Sequence, residues 1–135
     1  MAAGAALVSS PLELLLTGCK QAEPRQITLS KTRLAFESEP LVRPFGFKGG
    51  FMTEIWQTAA RIETSSGAHS IGLCTQNVLW SDASVFAAHT EEAGNALMFA
   101  LTDRAMRMIY GQTFTSPVTL LEEIFPDLYK YGKEM

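Results

Sequence analysis

From Gln26 onward the order of apolar and polar residues changes period twice. Gln26 to Phe36 (QITLSKTRLAF) alternates as a strand, but its phase slips midway. Ile27 and Leu29 share one face and Leu34 and Phe36 the other, the mark of a bulge or an edge strand. Glu37 to Gly50 carries Pro40, Pro44, Gly46, Gly49 and Gly50 and reads as a long loop. Phe51 to Glu63 alternates again, with Met52, Trp56, Ala60 and Ile62 on one face and Phe51, Ile55 and Ala59 on the other. Thr64-Ser65-Ser66-Gly67 supplies a turn into a short strand, His69 to Thr75, so the three strands are expected as an antiparallel meander.

After a second loop, Gln76 to His89, apolar residues recur at steps of three and four. Thr90-Glu91-Glu92 is a helix start, with a capping hydroxyl followed by acids that suit the positive end of the dipole. Ala93, Leu97, Ala100, Leu101, Met108 and Ile109 carry that helix to Tyr110, and Gly111 stops it. Ser116-Pro117 opens a second helix with face Leu120, Leu121, Ile124 and Phe125, which Pro126 is expected to end. Asp127 to Tyr131 then adds a last helical turn. Strands followed by two to three helices make an α+β domain over residues 26–135, with the helices on one face of the sheet.

Composition narrows the function classes. The 135 residues suit one domain, and a (β/α)₈ barrel of ~250 residues does not fit. A charged fraction of 19% and a net charge of −3, without a basic stripe, exclude a nucleic-acid footprint. Two cysteines and two histidines, Cys19, Cys74, His69 and His89, lack the spacing of a zinc site, and no metal site is expected. His69 beside a turn and His89 beside a helix start read as surface or local capping residues. Cys74 reads as a small buried hydrophobe, and Met98, Met106 and Met108 as core. No G-x-S-x-G motif accompanies any serine–histidine–aspartate combination.

Residues 1–19 form a separate unit. Met1 to Gly18 is rich in Ala and Leu and too short and interrupted to span a bilayer, but it suits the apolar region of an export signal. Leu16-Thr17-Gly18-Cys19 resembles a bacterial lipobox, and residues 20–25 (KQAEPR) are polar enough for a tether. Cys19 is then the lipidated residue, and the expected location is a periplasmic or membrane-anchored lipoprotein of an exporting bacterium. No basic region precedes the apolar run; the Ala-rich start resembles the tail of a twin-arginine signal, which makes Met1 internal. The alternative is an apolar N-terminal helix packed on the domain, with Cys19 an ordinary buried thiol.

Phe51-Met52-Thr53-Glu54-Ile55-Trp56-Gln57-Thr58-Ala59-Ala60-Arg61-Ile62, the Ser66-Gly67 turn, Ile71-Gly72 leading to Val78-Leu79-Trp80, and Ser116-Pro117 after Gly111 carry a resemblance. Together they resemble the N-terminal capping domain of the enolase superfamily, most closely its mandelate racemase and muconate-lactonizing branch. The run Gly72-Leu73-Cys74-Thr75 departs from the Gly-x-Gly-Glu of many relatives. The resemblance implies a specificity cap for an exported racemase, epimerase, dehydratase or cycloisomerase, with no catalytic residue in this chain. It implies a missing C-terminal barrel as partner, Mg²⁺ held in that barrel and a small carboxylate substrate, and it is compatible with a homo-oligomeric full-length enzyme. A free-standing small lipoprotein binding domain is the alternative.

Under that resemblance the two loops are the substrate-facing parts. The first offers Arg43, Phe45, Phe47, Lys48 and Phe51, whose rings suit a lid and whose guanidinium suits a carboxylate. Set against this, Phe45 and Phe47 could pin the loop to its own domain and Arg43 could be solvated. The second loop offers Asn77, Trp80, Ser81 and Asp82, with Trp80 facing substrate or packing under the following helix.

Overall fold

A computed structural model of the chain describes residues 25–47 and 49–135. The signal, the lipobox with Cys19, nearly all of the tether, and Lys48 lie outside the described residues. Strand β1 runs Ile27–Phe47, β2 Gly50–Thr64 and β3 His69–Gln76. A 3-10 turn, Val78–Trp80, and a short helix α1, Ala83–Ala88, follow. Helix α2 (Glu91–Ile109), strand β4 (Thr113–Phe114) and helix α3 (Pro117–Glu134) complete the domain. The architecture is α+β as expected, with an antiparallel sheet in the order β3-β2-β1-β4. The meander thus gains a fourth strand. Its two residues pair with Ile27 and Thr28, too few to leave an alternating pattern in the sequence.

The phase slip in β1 is a bulge. The β1–β2 register shifts between Leu29 and Lys31, so the residues on either side of the slip can serve the same sheet face. Leu29, 1% exposed, packs with Leu120 and Ile124 of α3. Beyond the bulge Phe36 stacks on Trp56 of β2, with ring centroids 3.9 Å apart and planes 5° from parallel. Phe99 of α2 meets the edge of Trp56 at 6.2 Å. Along β2 the inner positions Met52, Trp56 and Thr58 are buried, while Phe51, Gln57 and Arg61 on the reverse face are exposed. One sheet face is covered and the other is open.

Three expectations need correction. Residues 37–47 are not a loop. β1 continues through both prolines and pairs with β2 as far as Pro40↔Glu54, then again from Phe45↔Met52 to Phe47↔Gly50. Both prolines fall at the irregular stretch of a strand that lies at the sheet edge beyond β4, where a missing N–H breaks little of the ladder. The result is a long hairpin arm that turns at Gly49 (φ 79°). Secondly, Pro126 does not end α3, which continues to Glu134. An internal proline costs about 3 kcal/mol in a helix, but packing beyond it holds the last turns in place. Tyr131 lies under the Arg104 guanidinium at 5.3 Å, and Gly132 faces Leu101 closely enough that an added Cβ would sit 3.3 Å from it. Thirdly, Cys74 is an exposed free thiol; it lies on the edge strand, beyond the cover of α2.

Helix α2 starts and stops as its sequence implies. Thr90 Oγ1 accepts the Ala93 N–H at 3.2 Å, and Gly111 takes a φ of 77° just past the end. Met106 is buried, and Met98 and Met108 are half-buried, as core residues should be. The first half of α2 grips the 3-10 turn. Asn95 Oδ1 accepts the Val78 N–H at 2.7 Å, and Val78 and Asn95 are both fully buried. Gly94 makes this contact possible, because an added Cβ would stand 2.3 Å from Val78 Cγ2 and 2.6 Å from its Cβ. Helix propensity alone favours alanine over glycine by about 1 kcal/mol; this overlap reverses the sign. Gly94→Ala is expected to lower stability by about 1–3 kcal/mol, measured as a lower urea midpoint at unchanged slope. A rise in the midpoint would show that the turn stands off the helix.

Candidate functional site

Segment 76–91 leaves the sheet, crosses the base of the hairpin arm and enters α2. Asn77 organises this crossing. Its Oδ1 accepts the Leu79 N–H at 2.8 Å and so caps the 3-10 turn. Its Nδ2 donates to the Glu54 carbonyl and to Glu91 Oε1, both at 2.7 Å. Glu91, in the first turn of α2, also accepts the Thr53 N–H at 2.9 and 3.0 Å, the Thr53 hydroxyl at 2.6 Å and the Glu54 N–H at 3.3 Å. One carboxylate therefore joins the arm, the second loop and the helix. Burial opposes its ionisation. The bonds from the Thr53 hydroxyl, the Asn77 amide and the Thr53 and Glu54 backbone outweigh that and hold its pKa below the ordinary carboxyl value.

Above this clamp the loop and the arm meet. Asp82 caps α1 by accepting the Ser84 N–H at 2.8 Å. Phe86 of α1 lies over Gly50 at the hairpin turn, where an added Cβ would come within 2.2 Å of the ring. Phe45, Phe47 and Trp80 form a row. Their centroids are 6.5 Å apart for Phe45–Phe47 and 5.9 Å for Phe47–Trp80. All three rings remain accessible at 47%, 38% and 51% exposure, so the row ends in open surface rather than in a core.

Of the six expected residues, three rings are brought together, Arg43 and Phe51 are exposed elsewhere on the arm, and Asn77 is buried in the clamp. Phe45, Phe47 and Trp80 are brought together, and Arg43 is exposed at the irregular stretch of the arm just before them. Phe51 pairs with Gly46 and so points to the reverse face of the arm, where it is 67% exposed. Asn77 is 0% exposed, and its amide bonds lie inside the domain. Phe86 and Glu91 were not singled out as site residues. Glu91 was legible only as a helix-start acid, because its partners Thr53 and Asn77 are distant in sequence. His89 Nδ1 lies 2.9 Å from the Val85 carbonyl, and His69 is exposed at the start of β3.

A groove of ≈ 630 Å³ between the arm and the start of α2 is lined by Phe36, Trp56, Glu54, Glu91 and Glu92 among others. Its acids do not make a Mg²⁺ site. Glu54 accepts from Ser38 Oγ at 2.5 Å and from Trp56 Nε1 at 3.0 Å, and Glu91 is committed to the clamp. Among the described residues no group of three or more His, Cys, Asp or Glu side chains could hold a metal ion.

No protein-family model matches the sequence, and no curated protein matches it. Solved structures do match. The L-talarate/galactarate dehydratase from Salmonella typhimurium LT2 aligns over 100% of this chain and 28% of its own, with 16% identity and a TM-score of 0.50. An enolase from alpha pretobacterium bal199, solved with bound Mg, aligns over 78% of this chain and 25% of its own, with 19% identity and a TM-score of 0.51. The chain thus spans about a quarter of the length of each, and the likeness is one of fold.

The clamp has a pH signature. A carboxyl whose folded pKa is depressed stabilises the fold above its unfolded pKa of about 4.3, and this stabilisation is lost as pH falls through the lower folded pKa. Glu91→Gln keeps one acceptor but removes the charge, and is expected to cost about 1–3 kcal/mol at pH 7. The gap between variant and parent should narrow below pH 4 in urea titrations; an unchanged gap would assign the loss to packing.

Proposed function

We propose that this chain, which has the fold of the enolase-superfamily N-terminal domain, is the specificity cap of a larger Mg²⁺-dependent enzyme acting on a carboxylate substrate. The row Phe45–Phe47–Trp80 carries the reading. A hairpin arm and a crossing loop, far apart in sequence, present adjoining exposed rings fixed from below by Glu91 and Asn77. Rings in such a position exclude water and select the distal group of a bound molecule, while leaving bond-making to groups elsewhere. Arg43, exposed two residues before Phe45 on the arm, is suited to a substrate carboxylate.

The reaction class we infer is a racemisation, epimerisation, dehydration or cycloisomerisation, in the mandelate racemase and muconate-lactonizing branch that residues 51–62 resemble. Gly72-Leu73-Cys74-Thr75, lacking the glutamate of many relatives, leaves the subgroup open. The Mg²⁺ belongs to the barrel in this proposal; of the groove's carboxylates, Glu54 and Glu91 are bonded to protein donors. Lipidation at Cys19 and export are part of the same proposal and rest on the lipobox-like run alone.

The test begins with the reading frame around this segment, expressed with its flanking sequence and assayed with Mg²⁺ on a panel of hydroxy acids and acid sugars. Turnover of one acid is expected. Phe47→Ala and Trp80→Ala should then each lower kcat/KM for it by roughly 10- to 200-fold while the fold survives. A frame that stops directly after Met135 would replace this reading with a free-standing binding domain.

A further inference from the structure

The loop that carries Trp80 begins by bonding three successive residues to one helix. Gln76 Nε2 donates to Thr102 Oγ1 at 2.8 Å, Asn77 Nδ2 to Glu91 Oε1 at 2.7 Å, and the Val78 N–H to Asn95 Oδ1 at 2.7 Å. Glu91, Asn95 and Thr102 are four and seven residues apart along α2, which at about 3.6 residues per turn sets them on one stripe of the helix. The seam is polar although it faces the interior, for Gln76, Asn77 and Asn95 are all buried. Apolar packing alone would let the loop start slide along the helix. Satisfied hydrogen bonds specify a single arrangement.

Asn95 has a different role from its neighbours on the stripe. Val78 to Ser81 present four N–H groups. Asn77 Oδ1 accepts that of Leu79, Asn77 O that of Trp80 at 3.1 Å, and Val78 O that of Ser81 at 2.9 Å. Those bonds close within the turn and set its shape. The Val78 N–H leaves the turn for α2, so its bond to Asn95 helps set where the turn stands. Trp80 follows two residues later. The other half of the Asn95 amide is unused: Nδ2 is buried and has no acceptor among the described residues. The side chain thus satisfies one buried donor and leaves another unsatisfied, which yields little net stability. What it adds is a fixed place for the turn.

We propose that Asn95 is a positioning residue for the specificity row. Fully buried, it cannot meet a bound molecule. By holding the Val78 N–H it sets where Trp80 stands against Phe47, 5.9 Å away between ring centroids. The inference rests on the reading of the row as a specificity surface, and it adds a control point inside the domain, on α2.

The chain has two tryptophans, Trp56 and Trp80, so labelling with 5-fluorotryptophan gives two fluorine resonances, assigned with Trp80→Phe. In the full chain Asn95→Ala is expected to shift or broaden the Trp80 resonance and leave that of Trp56, stacked on Phe36, in place. Asn95→Ser, whose hydroxyl ends one bond short of the amide oxygen, should act alike and replaces the alanine variant if that one does not fold. Thr102→Val reads stability alone. It removes the hydroxyl that anchors Gln76 and should lower the urea midpoint without moving the Trp80 resonance. In the longer protein, Asn95→Ala should raise KM about tenfold more for an acid with a bulky distal group than for its truncated counterpart. A Trp80 resonance that stays in place in the Asn95 variants overturns the proposal. So does one that moves as far in Thr102→Val, because ring position would then follow stability. A Trp80 resonance that moves while both acids respond alike, or while no acid is turned over, keeps the placement of Trp80 by Asn95 and removes the cap reading instead.

Discussion

The structure around the arm depends on one half-buried carboxylate that several segments bond at once. Glu91 sits where three chain segments converge, and each supplies it with a donor: Thr53 and Glu54 from β2, Asn77 from the crossing loop, and the helix start itself through its dipole. Partial burial takes some water from its oxygens, and the bonds from Thr53, Glu54 and Asn77 replace it. Saturated with donors, it becomes the point that fixes the arm's base relative to α2. Asn77 extends the arrangement, since the same side chain that binds Glu91 also starts the 3-10 turn leading to Trp80.

The aromatic row follows from that constraint. Trp80 is three residues beyond Asn77, and Phe47 is reached along an arm whose base is fixed at Thr53 and Glu54. Contact between Phe86 and the bare backbone of Gly50 holds the hairpin turn against α1. These contacts hold the backbone on either side of the row, while the rings themselves remain about half exposed. The same economy appears at Gly94, where removal of one side chain lets the turn and helix touch.

Much of the fold was legible in the sequence, and the misses lie where tertiary context decides. Strand phase, the slip at Leu29, the Thr90 cap and the Gly111 stop are local signals, and the structure keeps them. Pro40, Pro44 and Pro126 are local signals too, yet tertiary pairing and packing overrode them. β4 left no signal because two residues cannot show a period. Phe45 and Phe47 stood out in the sequence as aromatics beside Pro44 and Gly46, and Trp80 as an aromatic in the second loop; the structure places the three rings in one row. Asn77 looked like a loop contact, and only the fold reveals that Glu54 and Glu91 surround it. Cys74 followed the usual tendency of cysteine to be buried, which an edge strand does not enforce.

The start of β1 is held in an unusual way. Leu29 exchanges both backbone bonds with the segment after α2, its N–H donating to Gln112 O at 3.0 Å and its carbonyl accepting from Gly111 N at 2.9 Å. Ile27 and Thr28 are zipped to Phe114 and Thr113 beside it, while the aromatic row lies at the far end of the same strand, roughly 65 Å away along a chain of this length. Tension arriving through the N-terminal chain would load this short zipper and the helices behind it in shear. The hairpin tip, on an unloaded stretch of strand, would keep its shape. The contacts that anchor the first residues of β1 are thus separate from those that set the hairpin tip.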